Sequence, residues 1–202
     1  MNWDLILEIA GFLIGLLYLW WEYHANAKLW LASIVMPTIS MWIYFRKGLY
    51  ADFTINIYYF VMAIYGYIAW TWRSRRPADV PSKSEKDEAP ALKITHMKAT
   101  AWAGCLLVLA ALWWGIFYLL HNFTDSKVPV YDAFTTALSI VATWMLARKY
   151  IEQWLAWILV DAVCVGLYCY KEIYLYATLY AIYTVIAVAG YRKWQKLMLK
   201  QQ

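Results

Sequence analysis

The chain has 202 residues, of which 64% are hydrophobic and 15% charged, and its mean hydropathy is +0.47. A soluble domain is about half apolar and about a quarter charged, so this composition excludes an ordinary soluble protein and predicts a single bundle in a lipid bilayer. The net charge of +5 does not indicate nucleic-acid binding, because the basic residues stand in short loops between apolar segments.

Seven apolar segments are long enough to cross a bilayer as helices. Only helices or a closed barrel satisfy the backbone in lipid, and the two-residue alternation of a barrel is missing from the sequence. We therefore predict an all-α membrane protein with helices at about 3–21, 28–45, 50–72, 100–120, 131–147, 153–170 and 173–191. Residues 73–99 contain three prolines and many charges, which predicts a solvated linker.

Lysine and arginine are divided unequally between the two sides of this bundle. The N-terminus and the loops after the second, fourth and sixth segments hold four of them, and the opposite side holds 14. Because cytoplasmic loops are enriched in these residues, we expect the linker and the C-terminus in the cytoplasm and the N-terminus outside.

The sequence repeats itself at an offset of 124 residues. GLYADFTINIYYFVMAIYGYIAW (48–70) aligns without a gap with 172–194, and the same offset pairs Trp30 with Trp154. Span 3 then matches span 7, so both cross in the same direction, as in parallel repeats. We predict a first three-helix repeat (1–72), the cytoplasmic linker (73–99), a linking helix (100–120), a second repeat (127–196) and a C-terminal tail (197–202).

An acid interrupts the sixth apolar segment, where Trp154, Trp157 and Asp161 fall within about 60° of one helix face. Tyr168 lies on the same stripe. An acid at mid-span costs about 2.5–3.5 kcal/mol and usually marks a site or pathway. The alternative is a structural pair inside the bundle, although no lysine or arginine lies deep in another span. Trp154, near the membrane edge, could instead belong to an interfacial aromatic belt.

Two indoles and a carboxylate on one stripe suit a flat aromatic cation, which stacks on the rings while the acid balances its charge. Asn56 and Tyr59 of the third segment could donate hydrogen bonds from the other repeat, or could simply join helices. Tyr183 is the repeat equivalent of Tyr59. Pro37 occupies the position of Asp161 in the first repeat, where a mid-span proline predicts a hinge.

Motifs of catalysis are missing from the sequence. It has no phosphate-binding glycine loop, no spacing of metal ligands and no nucleophile paired with a base, so we expect neither an enzyme nor a cofactor or metal. His96 and His121 lie in or next to loops, and we predict no specific role for them.

Two stretches resemble the PnuC family of bacterial vitamin transporters. LSIVATWMLARKYIEQWLAWILVDAVCVGLY (138–168) carries that family's WxxW element at Trp154 and Trp157, and LYAD…NIYY…YGYIAW (49–70) is similar to its third-span signature. The resemblance covers nearly the whole chain except the linker. It implies two triple-helix bundles related to the SWEET sugar transporters, a homotrimer in the bacterial inner membrane, and facilitated diffusion of an unphosphorylated vitamin that a cytoplasmic kinase then traps.

One departure from the family pattern concerns the substrate. Family members that carry nicotinamide riboside usually have asparagine at the position of Asp161 and tend to have glutamine at that of Asn56. The chain therefore looks most like the thiamine-type (PnuT) branch, with the thiazolium facing Asp161 and the aminopyrimidine stacked on an indole. Nicotinamide riboside is also a cation and is the main alternative, ahead of riboflavin. A membrane subunit or receptor that transports nothing is a third possibility.

Overall fold

The computed structural model is all-helical, and it describes residues 14–48, 50–71, 92–124 and 127–201. Helix α1 is described over 14–23. It is followed by α2 (Leu29–Lys47), α3 (Tyr50–Thr71), α4 (Ala99–Phe123), α5 (Pro129–Ala147), α6 (Gln153–Tyr170) and α7 (Tyr174–Leu199). The last six are long and apolar enough to cross a membrane, which confirms a multi-pass helical membrane protein. The predicted span 3–21 lies only partly within the described residues.

The predicted and observed ends of α2 to α7 differ by three residues or fewer, with one exception. Helix α7 was predicted to end at 191 but continues to Leu199, through the basic residues Arg192, Lys193 and Lys196. The first three residues of the predicted tail over 197–202 are therefore helical. Hydropathy reports where a segment enters lipid, whereas a polar helix can continue beyond the membrane.

The chain divides into two compact units at the boundary between Lys93 and Ile94. In the first unit, α2 packs on α3. In the second, α4 packs on α5, α5 on α6 and α6 on α7, so the predicted linking helix α4 is part of the second unit. The core of the second unit joins α4, α5, α6 and the residues just before α4, and consists of Met97, Cys105, Leu138, Val141, Ala142, Met145, Ala156, Val160 and Cys164.

The turns that precede and follow α2 have the same geometry as those that precede and follow α6, at positions 124 residues apart. The described residues contain four with positive φ, and they form two pairs: Ala25 (50°) with Lys149 (60°), and Gly48 (71°) with Glu172 (59°). The hydrogen bonds correspond as well, since the Ala25 N–H donates to the third carbonyl back at 2.9 Å and the Lys149 N–H does so at 2.8 Å. The local backbone of the two units is thus repeated.

A glycine and two tryptophans make the same helix contact in both units. Trp154 of α6 lies edge-on to Trp194 of α7, with ring centroids 5.8 Å apart and an interplanar angle of 86°. A Cβ atom on Gly190 would lie 2.6 Å from the Trp154 ring, so only glycine lets α7 approach this closely.

The equivalent residues of the first unit are Trp30, Trp70 and Gly66, and the two rings there are 5.7 Å apart, also at 86°. A Cβ on Gly66 would overlap the Trp30 ring. The predicted SWEET-like grouping into three plus three helices goes beyond these local matches and stays a prediction.

Residues 94–98 form an extended segment that packs against the turn between α5 and α6. Thr95 pairs with Tyr150 in a parallel bridge, in which the Thr95 N–H donates to Lys149 O at 3.3 Å and the Ile151 N–H donates to Thr95 O at 3.1 Å. Ile94 is only 3% exposed. Within the predicted linker over 73–99, residues 94–98 are thus attached to the second unit through the buried Ile94 and Met97, and residues 73–91 lie outside the described part of the chain.

Candidate functional site

Asp161 lies in the middle of α6 and is 7% exposed. Within the described residues it has no hydrogen bond and no ion pair, so the alternative of a structural pair finds no support there. It lies near enough to Cys164, Tyr180 and Tyr183 for electrostatic interaction. A carboxylate is costly to bury in its charged form without a partner, so a buried acid without an ion pair is a candidate partner for a cationic ligand.

Trp157 stands one helical turn before Asp161, on the same face of α6. It is partly buried and packs against the core of the second unit. Its indole N–H is buried and has no hydrogen-bond partner among the described residues. Trp157 therefore offers an aromatic face and an unused donor beside the carboxylate.

Trp154 has a different environment from Trp157. It is 2% exposed, and its ring is held between α6 and α7 by Trp194 and Gly190. Trp30 makes the same contact in the first unit, although residues 31–37 that follow it contain no acid. Helix packing therefore accounts for Trp154, and its burial argues against a place in the interfacial belt.

Four tyrosines of α6 and α7 form a tyrosine cluster near Asp161. Tyr168 stacks on Tyr176 and on Tyr180, with centroids 5.3 Å apart in both pairs, and Tyr180 meets Tyr183 edge-on at 5.9 Å. At the end of α6, Lys171 Nζ lies 6.0 Å from the Tyr168 ring and 3.2 Å from Asp132 Oδ1. The predicted residues Tyr168 and Tyr183 are thus connected through Tyr180, and Tyr180 and Tyr183 interact electrostatically with Asp161.

The remaining predicted site residues belong to the first unit, which is described by itself. Asn56 and Tyr59 are partly buried in α3, and Tyr59 meets Tyr58 edge-on at 5.5 Å. Pro37 lies within α2, which is helical on both sides of it. The Thr38 hydroxyl donates to Ile34 O at 2.7 Å. The roles predicted for these residues stay predictions.

Sequence reasoning missed polar residues at the start of α6. Gln153 is fully buried, and neither its Oε1 nor its Nε2 has a partner among the described residues. Glu152 receives the Met97 N–H at 3.1 Å, and its Oε1 lies 2.8 Å from His96 Nδ1, although no role was predicted for His96. The signal for Gln153 was available, since the repeat pairs this amide with the apolar Leu29.

The arrangement in the second unit suits binding rather than catalysis. It offers a buried carboxylate, aromatic side chains and buried N–H groups without a hydrogen-bond partner among the described residues. Within the described residues, no three His, Cys, Asp or Glu side chains are grouped as metal ligands. The apolar helices define the class of protein as a multi-pass helical membrane protein, in which these residues form the candidate site.

Comparison with known proteins gives the family. The model of the nicotinamide mononucleotide transporter family matches residues 5–196, and the chain belongs to this family. The predicted membership of the PnuC family is thereby confirmed. The chain is a transporter, not an enzyme.

The relatives are similar over most of the chain. The nicotinamide riboside transporter PnuC of Escherichia coli K12 is 25% identical over 214 residues, which cover 93% of this chain and 84% of that protein. Its counterpart in Neisseria mucosa is 23% identical over 175 residues, covering 84% and 64% respectively. A crystal structure of the vitamin B3 transporter PnuC has a TM-score of 0.69 at 21% identity and covers 100% of this chain and 85% of that one, so the fold is shared.

Proposed function

We propose that this transporter carries nicotinamide riboside, with thiamine as the second candidate. The relatives that are named for nicotinamide riboside support this order, which reverses the one that the sequence favoured. The single observation that supports an aromatic cation is Asp161, which is buried and has no hydrogen bond or ion pair within the described residues.

In this proposal, Trp157 and Asp161 bind the positively charged ring. Cation–π attraction on a desolvated indole is worth about 2 kcal/mol, and the carboxylate balances the remaining charge. The tyrosine cluster provides further aromatic surface through Tyr168 and Tyr183. Trp154 fixes α6 against α7 and so positions the face that carries Trp157 and Asp161.

The family pattern implied by the resemblance keeps thiamine in the proposal. The position of Asp161 is usually asparagine in family members that carry nicotinamide riboside, and a full negative charge there favours a substrate that depends on charge pairing. Asn56, at a position where those members tend to have glutamine, is a second difference. Asn56 and Tyr59 remain candidates for hydrogen bonds to polar groups of the substrate.

We further propose uptake by facilitated diffusion, with a cytoplasmic kinase trapping the product. The distribution of basic residues supports a cytoplasmic C-terminus and an external N-terminus in the bacterial inner membrane. A homotrimer, a SWEET-like rocking motion and a hinge at Pro37 belong to the same proposal.

Substitution of the acid separates the two vitamins. We expect Asp161→Asn to weaken thiamine binding by about tenfold or more, which corresponds to about 1.4 kcal/mol, and to affect nicotinamide riboside less, because asparagine is usual in its carriers. Isothermal titration calorimetry of the purified protein with each vitamin measures both dissociation constants.

Asp132→Asn is the matched control, since Asp132 is an acid at a helix end that already pairs with Lys171. We expect it to leave both dissociation constants unchanged. A wild-type protein that binds thiamine more tightly than nicotinamide riboside would reverse the order proposed here. Failure to bind either vitamin would contradict the proposed substrate class.

A further inference from the structure

Gln153, the first residue of α6, is buried in an unusual way. Its exposure is 0%, and neither its carbonyl oxygen nor its amide nitrogen has a hydrogen-bond partner among the described residues. A buried polar group without a partner costs about 1–3 kcal/mol, and native proteins contain few of them. An amide at this position therefore needs a reason other than stability.

Comparison with the first repeat shows that helix packing does not require an amide at this position. Leu29 is the equivalent residue of the first unit, and it is also 0% exposed. The backbone is the same at both positions, since the Leu29 N–H donates to Asn26 O at 3.1 Å and the Gln153 N–H donates to Tyr150 O at 3.3 Å. An apolar side chain therefore suffices to start this helix.

Gln153 is also placed in line with the proposed site. Gln153, Trp157 and Asp161 follow each other at intervals of four residues, so they share one face of α6 with an axial rise of about 6 Å per step. The Trp157 N–H is buried and unpartnered like the Gln153 amide, and Asp161 has no hydrogen bond within the described residues. Three successive turns of one helix face thus present polar groups that the described chain leaves unused.

We infer that Gln153 is a further substrate-binding residue, which pairs with a group that offers a donor and an acceptor side by side. A primary amide has one carbonyl acceptor and an NH₂ donor, and a carboxamide or an aminopyrimidine edge complements both. Nicotinamide riboside has the first group and thiamine has the second, in addition to a cationic ring for Trp157 and Asp161. The inference rests on the proposed function and adds the inner end of the substrate site to it.

Gln153→Leu, which copies Leu29, tests this inference. We expect the dissociation constant for the preferred vitamin to rise by about tenfold, because a buried hydrogen-bonding edge of the ligand loses its partner. We also expect the variant without ligand to melt at the same or a higher temperature than wild type, because an unpaired buried amide has been removed.

The decisive comparison uses a ligand that lacks the hydrogen-bonding edge proposed to contact Gln153. N-ribosylpyridinium lacks the carboxamide of nicotinamide riboside, and a thiamine analogue with hydrogen in place of the amino group lacks the aminopyrimidine edge. Wild type and Gln153→Leu should bind the analogue of the preferred vitamin equally well. Leu29→Met is the control in the first unit and should leave every dissociation constant unchanged.

Each result decides between the possibilities. Equal affinity of wild type and Gln153→Leu for the vitamin would overturn this inference alone. An equal loss for vitamin and analogue, together with a lower melting temperature, would show a structural role and also overturn it. If wild type binds neither vitamin, the proposed function fails and this inference fails with it. Gln153→Met, similar in length but without the amide, repeats the test if the leucine variant does not fold.

Discussion

Glu152 holds the extended segment 94–98 against the start of α6 with one carboxylate. Its Oε2 receives the Met97 N–H at 3.1 Å, and its Oε1 lies 2.8 Å from His96 Nδ1. The two contacts differ in burial, because the His96 side chain is 60% exposed whereas Met97 is 8% exposed. Water screens the contact with the imidazole, so we expect the contact with the backbone to matter more for stability.

Removing this carboxylate should destabilise the second unit. We expect Glu152→Ala to lower the free energy of unfolding by about 1–3 kcal/mol, because the buried Met97 N–H loses its acceptor. His96→Ala should cost less than about 1 kcal/mol, because an exposed pair contributes little. Denaturation of the purified variants in the same detergent measures both changes. Glu152→Ala removes both contacts and His96→Ala only one, so equal losses in the free energy of unfolding would show that the backbone contact adds nothing.

At the scale of helices, α6 and α7 approach closely because a glycine faces a tryptophan. Gly190 lies under the Trp154 ring, which in turn meets Trp194, and the same three residue types occupy the equivalent positions of α2 and α3. Trp154, through its contacts with Gly190 and Trp194, therefore helps to set the distance between α6 and α7. The proposed binding face, one turn further along α6, depends on that distance.

A methyl group at Gly190 tests this dependence. We expect Gly190→Ala to destabilise the protein by about 1–3 kcal/mol, because the Trp154 ring has to move away from α7. Gly166→Ala in α6 is the control, since a Cβ there would have no heavy atom within 4 Å, and it should be neutral or slightly stabilising. Thermal unfolding of both variants gives the comparison. Equal melting temperatures would contradict the role of the close approach.

The positions of the helices were predictable, and the contacts between distant residues were not. Apolar length alone placed α6 at Gln153–Tyr170, because a span must match the bilayer. It could not find the end of α7, where basic residues continue the helix, nor the contact of His96 with Glu152, which are 56 residues apart. A β-bridge of one residue pair, such as Thr95 with Tyr150, leaves no periodic pattern in the sequence.

Candidate site residues can be found in the sequence where a polar side chain interrupts an apolar segment. Asp161 stood out because an acid in an apolar run is expensive. Gln153 did not stand out, because a lone glutamine at the start of a span looks like a helix end in water. The repeat pairs it with the apolar Leu29, but that pairing gains weight only once the structure shows that both side chains are fully buried.

For the whole molecule, the proposed mode of transport predicts exchange without an ion gradient. In proteoliposomes loaded with unlabelled nicotinamide riboside, we expect labelled vitamin to enter by counterflow and a protonophore to leave its rate unchanged. Protein-free liposomes are the control. Loss of counterflow on adding the protonophore would indicate proton coupling, for which an intramembrane acid such as Asp161 is suited. Binding without any entry would indicate a receptor instead.

A hydrogen bond joins the Ile94 N–H to Gln201 Oε1 at 3.0 Å, across 107 residues of the chain. A ribosome adds about 5–20 residues per second, so Ile94 is made roughly five seconds or more before its acceptor. Tyr150 and Glu152, the other partners of segment 94–98, are made about halfway through that interval. During synthesis the segment can therefore be held first by the α5–α6 turn, and the bond to Gln201 closes the second unit only after α7 is complete.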